Sequence, residues 1–337
     1  MEIVRGIDAL EVQASVVTMG AFDGVHLGHK AVIERLKIQG SRLNAPTILI
    51  SFEPHPQFIL RQHTDLKLLT TLEEKEALVQ QMGIDYFVVL KFTPKLQHLS
   101  YKEFIMDFLH EKLHAKAIVV GYDHHFGHNK SGNRETLENL SRGLGIAAEV
   151  VSEAKIGSQD VKSSLIRKFL HQGHLAEANR FLGYDYMIGG VVVKASGRGL
   201  NLGFPTANLE VDARKLVPAR GVYVGKARLG VEGREMKDEG RGTREEGPAR
   251  NASRSDAGER ATRELGAVVN IGCRPTFDGE RQHIECFLLD FNERIYGEKL
   301  EISLMKRLRD EIKFKNAEAL KMQISHDIAS AKHLLMI

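Results

Sequence analysis

The chain has 337 residues, more than one core of ordinary size holds, so two domains are expected. Its 42% hydrophobic and 27% charged content excludes a fibrous or wholly disordered polymer, and a formal charge of +3 suits anionic small molecules without arguing for nucleic acid. Cys273 and Cys286 form neither a C-x-x-C pair nor a disulfide framework, the start M-E-I-V-R-G-I-D has no leader pattern, and no run approaches about 18 apolar residues, so a reducing cytoplasm is expected.

Up to Leu182, short runs rich in Val and Ile alternate with segments of helical period, which predicts a parallel sheet with crossover helices, a Rossmann-like α/β domain. The expected strands are Ser15 to Met19, Thr47 to Phe52, Tyr86 to Leu90, Ala117 to Gly121 and Ala147 to Val151. Phe104, Ile105, Phe108, Leu109 and Leu113 recur near the α-helical spacing and predict one buried helix face.

Where the first strand ends, Gly20 to His29 reads G-A-F-D-G-V-H-L-G-H. A strand-to-helix turn offers backbone N–H groups and the positive end of a helix dipole to a phosphate. Gly20, Gly24 and Gly28 permit tight turning around Phe22 and Asp23, and His26 and His29 can face one phosphate from the first turn. Their chemistry would be to donate hydrogen bonds to charge developing on an α-phosphate during in-line displacement. The motif resembles the signature of the nucleotidylyltransferase superfamily, which implies adenylyl transfer but not the acceptor. That superfamily carries a second, basic loop late in the domain, matched here by V-K-S-S-L-I-R at Val161 to Arg167, where Ser163, Ser164 and Arg167 open an amphipathic helix. Between these, G-H-N-K-S-G at Gly127 to Gly132 lacks P-loop spacing. His124, His125 and His128 lack a Cys partner or an H-E-x-x-H arrangement, so they read as pocket or surface histidines rather than zinc ligands.

From Tyr186 the pattern turns to β runs bounded by Gly and Pro: Ile188 to Lys194, Gly221 to Leu229, Ala267 to Ile271, His283 to Phe291 and Leu300 to Met305. These predict an antiparallel sheet or small barrel, closed by a helix whose apolar face holds Leu320, Ile324, Ile328, Ala331 and Leu335. The expected domains are residues 1–183 and 184–337. Within the second, Val231 to Leu265 carries nine acidic and eight basic residues with few large apolar ones, and reads as a disordered insertion between strands. Gly199 to Asn208 reads G-L-N-L-G-F-P-T-A-N; beyond Gly199 and Gly203, Thr206 and Asn208 offer hard oxygens suited to Mg²⁺ and nucleotide phosphates, unless the segment is a plain Gly-Pro loop. Glu285 lies in an apolar strand, either as a general base toward a hydroxyl or on an exposed strand face.

The G-x-x-L-G-F-P-T-A-N run resembles the flavokinase signature. Nearly end to end the chain is similar to bacterial bifunctional riboflavin kinase and FMN adenylyltransferase (FAD synthetase) proteins. The resemblance is carried by G-A-F-D-G-V-H-L-G-H, F-E-P-H-P at Phe52 to Pro56, G-Y-D-H-H-F-G at Gly121 to Gly127 and V-K-S-S-L-I-R. In the second half it is carried by P-A-R-G-V-Y at Pro218 to Tyr223, N-I-G-C-R-P-T-F at Asn270 to Phe277, E-C-F-L-L-D-F at Glu285 to Phe291, I-Y-G at Ile295 to Gly297 and L-R-D-E-I-K-F at Leu308 to Phe314. It implies that the second domain moves the γ-phosphate of ATP to the 5′-hydroxyl of riboflavin, with Mg²⁺ on Thr206 and Asn208 and Glu285 taking the proton. The first domain would join AMP to FMN and release pyrophosphate. ATP would be held there by Gly20, Phe22, Asp23, His26, Gly28, His29, Ser163, Ser164 and Arg167. Phe52, His55, Pro56, Asp123 and Phe126 would shape the flavin side there, and Arg309 would lie near the kinase's flavin. Substrates are then riboflavin, FMN and ATP, with no nucleic acid or membrane partner.

Departures from the family pattern are His124 where an aromatic is usual, Lys162 at the first Ser of the basic loop, Leu200 where a basic residue is frequent, and the long charged insertion. Two other readings use fewer of these features. A nucleotidylyltransferase with another acceptor leaves the second half without a role; a flavin- or RNA-binding protein lacking catalysis is suggested by the altered flavin run and the Arg-rich insertion.

Overall fold

The computed structural model describes residues 1–60, 65–122, 132, 134–194, 203–230, 263–276 and 279–337. Asp123, His124, His125, Phe126, Gly127, His128, Gly199, Leu200 and residues 231–262 of the insertion therefore lie outside the described residues. The chain divides into two compact units, Met1–Tyr186 with Asp212–Ala219, and Met187–Val211 with Arg220–Ile337.

In the first unit the elements are β1 (Glu2–Arg5), β2 (Ser15–Met19), α1 (Leu27–Leu43), β3 (Thr47–Glu53), α2 (Pro56–Leu60), α3 (Leu72–Gln80), β4 (Tyr86–Lys91), α4 (Pro94–His98), α5 (Tyr101–Glu103), β5 (Ala115–Gly121), α6 (Arg134–Gly143), β6 (Ala147–Val151), the short strands β7 (Lys155–Ile156) and β8 (Gln159–Asp160), α7 (Ser163–His171) and α8 (Leu175–Leu182). Six parallel strands order as β1-β4-β3-β2-β5-β6. The central strands β2 and β3 are buried along nearly their whole length and mostly apolar because both faces are covered. Val17, Met19, Ile48, Ile50, Val88 and Ile118 pack on one side; Val16, Leu49, Phe87 and Val119 pack with Val32, Ile33 and Leu36 of α1 on the other. Burying each such side chain contributes about 1.5–3 kcal/mol, which fixes the strand register, since a one-residue slip would exchange the two cores.

The segment Phe104–Lys112 departs from the expected α-helix: it winds as a π-helix after α5, with Leu113 N–H reaching back to the Phe108 carbonyl at 3.1 Å. The wider turn still buries Phe104, Ile105 and Leu109, and stacks Phe104 on Phe108 with ring centres 5.2 Å apart. Strand β1 and the β7–β8 hairpin are too short for a periodic signal.

The second unit is a closed barrel. Its strands β9 (Tyr186–Val193, whose first residue belongs to the first unit), β10 (Ala207–Val211), β11 (Gly221–Leu229), β12 (Arg263–Thr276), β13 (Gly279–Leu288) and β14 (Lys299–Arg309) order as β10-β13-β12-β11-β14-β9, and α9 (Ala317–Leu335) follows. Val222, Val224, Val268 and Leu289 pack beneath Ala331, Ile328 and Leu335 of α9, so they face outward; the alternating Tyr223, Val269, Ile271 and Cys286, all fully buried, fill the barrel. Two expectations are corrected here. Arg263, Glu264 and Leu265 belong to β12, paired with Leu229, Arg228 and Ala227, rather than to the insertion. The segment read as turn-rich enters strand β10 at Ala207, because both of its neighbours, β9 and β13, offer a free edge that closes the barrel.

Candidate active site

The parallel sheet reverses its winding between β2 and β5, and a crevice opens at the carboxyl ends of strands at such a switch point. A cavity of about 400 Å³ lies there, within the size range of small-molecule sites. Its walls come from the end of β2 (Thr18, Met19), the turn Gly20 to Asp23, the start of α1 (His26, Gly28, His29), His55, the end of β5 (Gly121, Tyr122) and the start of α7 (Lys162, Ser163, Ser164, Arg167).

The entry to α1 is tightly constrained. Phe22, Gly24 and Val25 all have positive φ (47°, 84° and 35°), a strained run of the kind that clusters at ligand sites. His26 caps α1: its Nδ1 accepts the His29 backbone N–H at 3.3 Å. The two imidazoles stack, ring centres 3.6 Å apart and planes 13° from parallel, over Gly28, where a β-carbon would stand 3.2 Å from the His26 ring. Burial lowers the pKa of His26 to about 4, and it holds that of His29 well below 6.5, helped by the proximity of His26 and Lys75. Both rings are therefore neutral near pH 7. His55 is lowered to about 4 by the same burial.

Asp23 is buried and organises its neighbours. Its carboxylate accepts the Leu69 and Thr70 backbone N–H groups, each at 3.1 Å, and pairs with Arg167, while its carbonyl accepts the Ser163 hydroxyl at 2.9 Å. Arg167 also donates through Nε to the Lys67 carbonyl at 2.8 Å. Helix α7 begins after Lys162 with no side-chain cap, and neither α1 nor α7 has an acidic residue in its first turn. Two helix N-termini thus border one cavity with their positive ends undiluted. Lys162 reaches Asp160 at 3.1 Å and the Tyr122 hydroxyl at 3.3 Å. Buried Lys75 donates to the Ala21 carbonyl at 2.7 Å, holding the same turn from behind.

On the second unit, one rung across the barrel sets Asn208 opposite Glu285, Glu285 opposite Asn270, Asn270 opposite Val222 and Val222 opposite Arg309. Opposed residues in antiparallel strands share a face, so Asn208, Glu285 and Asn270 form a polar row on the outer face. His283 Nε2 lies 3.7 Å from Glu285 Oε1, and Phe204 meets Phe287 edge-on at 5.9 Å, bringing the segment before Thr206 onto the same side. Gly203 takes φ of 85° in the turn leading there. Arg309 is bound to Asp327 of α9, through Nη2 at 2.7 Å and Nε at 3.1 Å. Burial pushes the Cys286 thiol up to about 12, which makes it inert packing. Among the described residues no group of three or more His, Cys, Asp or Glu could hold a metal. The oxygens of Thr206 and Asn208 fit a hard cation that takes its remaining ligands from water and phosphates.

A family model described as FAD synthetase matches residues 9–165, and one described as riboflavin kinase matches residues 182–335. The bifunctional riboflavin kinase/FMN adenylyltransferase of Listeria monocytogenes is 33% identical over 314 residues, 93% of this chain and 90% of its own. The chain belongs to this bifunctional family. The family members from Escherichia coli strain K12 and Haemophilus influenzae are each 31% identical over 335 residues, covering 98% of this chain and 97% and 98% of their own. A solved structure titled macrolide-efflux protein from Streptococcus pneumoniae aligns with a TM-score of 0.82 at 25% identity, covering 98% of both chains. That likeness concerns the fold; among the described residues no helix is long and apolar enough to cross a membrane.

Of the residues singled out in sequence, the structure brings Gly20, Phe22, Asp23, His26, Gly28, His29, His55, Ser163, Ser164 and Arg167 to one cavity. Phe52 is not in that wall: it packs edge-on against Phe92 with ring centres 5.7 Å apart, and Pro56 starts α2 behind His55. Thr18, Lys75 and Asp160 were not singled out, and Tyr122 and Asn270 lay within quoted family motifs without being given a role. Lys75 has no motif around it, and only the tertiary fold brings it in.

Proposed function

We infer that this chain carries two ATP-dependent activities in sequence: phosphorylation of riboflavin to FMN on the barrel, and adenylyl transfer from ATP to FMN in the first unit's cavity. The observation that carries the second activity is the meeting of two acid-free helix N-termini with a neutral, stacked histidine pair in one cavity. A triphosphate gains most from such a site, because N–H groups and helix dipoles stabilise its negative charge. An FMN phosphate oxygen would attack the α-phosphorus in line, and the bond to pyrophosphate would break. His26 and His29 would donate hydrogen bonds to the charge that builds on the phosphates, while Ser163, Ser164 and Arg167 hold the leaving side. His55, in the cavity wall, would border the flavin side, with Phe52, Pro56, Asp123 and Phe126 beyond it.

For the kinase, Glu285 would accept the proton of the riboflavin 5′-hydroxyl as its oxygen bonds to the γ-phosphorus of ATP and ADP departs. Its position opposite Asn208 supports that role. Gly199, Gly203, Thr206 and Asn208 would hold the nucleotide, with Thr206 and Asn208 as oxygen ligands to Mg²⁺, which when bound neutralises charge between the phosphates. Arg309 would border the flavin from the same rung, pre-oriented by Asp327. The two domains are taken as residues 1–183 and 184–337. The partners proposed are small molecules only, in a cytoplasmic setting.

The direct test supplies purified protein with riboflavin, ATP and Mg²⁺ and resolves the products by chromatography. FMN followed by FAD and pyrophosphate is expected. Formation of FMN alone would remove the adenylyl-transfer half of the reading.

A further inference from the structure

We propose that Lys215, which lies within the stretch matched as riboflavin kinase, is a positioning residue for the adenylyl-transfer site; this rests on the reading of the first cavity given above. Segment Asp212–Ala219 connects two barrel strands, β10 and β11, yet it belongs to the first compact unit. It is held there by one parallel β-bridge between Leu68 and Lys215 and by backbone hydrogen bonds. Leu68 N–H donates to the Arg214 carbonyl at 2.7 Å, Leu216 N–H donates to the Leu68 carbonyl at 2.8 Å, and Ala219 N–H donates to the Leu170 carbonyl at 2.9 Å. Leu216 is fully buried, and its carbonyl accepts the Tyr186 hydroxyl at 2.7 Å.

At the centre of this segment the Lys215 side chain is 1% exposed. Its ammonium donates to the Leu69 carbonyl at 2.7 Å and to Glu74 Oε2 at 2.5 Å, and sits 4.5 Å from the centre of the Tyr186 ring. The same Glu74 oxygen accepts the Thr71 N–H at 2.9 Å in the capping box of α3. A charge so buried is costly unless paired and fully hydrogen-bonded, and here every partner lies on residues 69–74 or on Tyr186.

The other side of that peptide points at the cavity. Leu69 N–H and Thr70 N–H are the donors to Asp23, the Thr70 hydroxyl accepts the Gly24 N–H at 3.0 Å, and Asp23 in turn holds Arg167 and Ser163. Residues 69–70 are therefore clamped between Lys215 and Asp23. Lys215 touches no cavity wall, so it acts through the placement of Asp23, Gly24 and Arg167.

The test uses full-length protein carrying Lys215→Met, and a doubly neutral Lys215→Met/Glu74→Gln variant that leaves no buried charge unpaired. Three readouts are taken: steady-state adenylyl transfer with FMN and ATP, riboflavin phosphorylation, and the Arg167 Nε–H resonance, assigned by its loss in Arg167→Lys. Lys215→Met is expected to shift or broaden that resonance and to reduce kcat/KM for ATP in adenylyl transfer roughly tenfold or more, mostly through KM, with riboflavin phosphorylation within about twofold. The doubly neutral variant is expected to recover part of the loss, and it carries the same test if the single variant fails to fold. An unmoved Arg167 resonance with adenylyl transfer within about twofold of wild type would overturn the proposal. Should wild type make no FAD, the reading of the cavity falls, and the resonance alone still decides whether Lys215 positions Arg167.

Discussion

The backbone N–H of His29 donates to His26 Nδ1 at 3.3 Å, and this bond fixes which nitrogen of His26 is free to act. With Nδ1 accepting and the ring neutral, the proton sits on Nε2. His26→Asn keeps an acceptor to cap α1 but removes that N–H. It is expected to lower FAD formation roughly 100-fold or more, with little change in Tm and unaltered FMN formation. Thermal unfolding and product analysis check it together.

The buried histidines make the first unit acid-sensitive. His26 and His55 stay neutral in the folded chain down to about pH 4, whereas in the unfolded chain they protonate near 6.5. Below 6.5 the unfolded state binds protons that the folded state refuses, so stability is lost as pH falls from 6.5 toward 4, by on the order of 3 kcal/mol per ring at most. Urea midpoints measured across that window are expected to fall with pH, and His55→Gln should flatten the slope. An unchanged slope would mean that other groups dominate.

Asp23 and Arg167 form an unequal pair. Asp23 also gathers two backbone N–H groups and a hydroxyl, whereas the Arg167 side chain is 16% exposed against 4% for Asp23. Asp23→Asn is expected to cost about 3–5 kcal/mol, and Arg167→Ala clearly less, because Asp23 keeps its other donors. Both should depress FAD formation. Denaturant unfolding of the two variants ranks them.

Gly24 has φ of 84°, and a β-carbon there would stand 2.7 Å from Leu69 Cδ1. Gly24→Ala is expected to cost about 1–3 kcal/mol in backbone strain alone and to displace Leu69. FAD formation should then fall while FMN formation persists, measured on the same preparation.

Glu285→Gln retains the rung with Asn208 and Asn270 but cannot take a proton. Loss of FMN formation from riboflavin by roughly 100-fold or more is expected, with FAD still made when FMN is supplied. Loss of both activities in folded protein would overturn the assignment of separate sites.

The sequence by itself determined the α/β unit, the barrel and the main motifs, because these rest on local signals. Apolar runs gave β2 and β6 their bounds, and the Gly20 to His29 run marked the strand-to-helix turn without any knowledge of what surrounds it. Glu285 stood out as a carboxylate in an apolar strand, yet that pattern alone left it equally well explained by an exposed face. The barrel register sets it between Asn208 and Asn270, polar company that the strand pattern alone does not record. Arg167 was legible as a cation at a helix start, but its partner Asp23 lies 144 positions away. Lys75 and Lys215 gave no signal at all, since a lone lysine in sequence looks solvated. Tertiary structure decided these, because the pairing of buried charges depends on which distant segments the core brings within hydrogen-bonding reach, and no local period or motif records that.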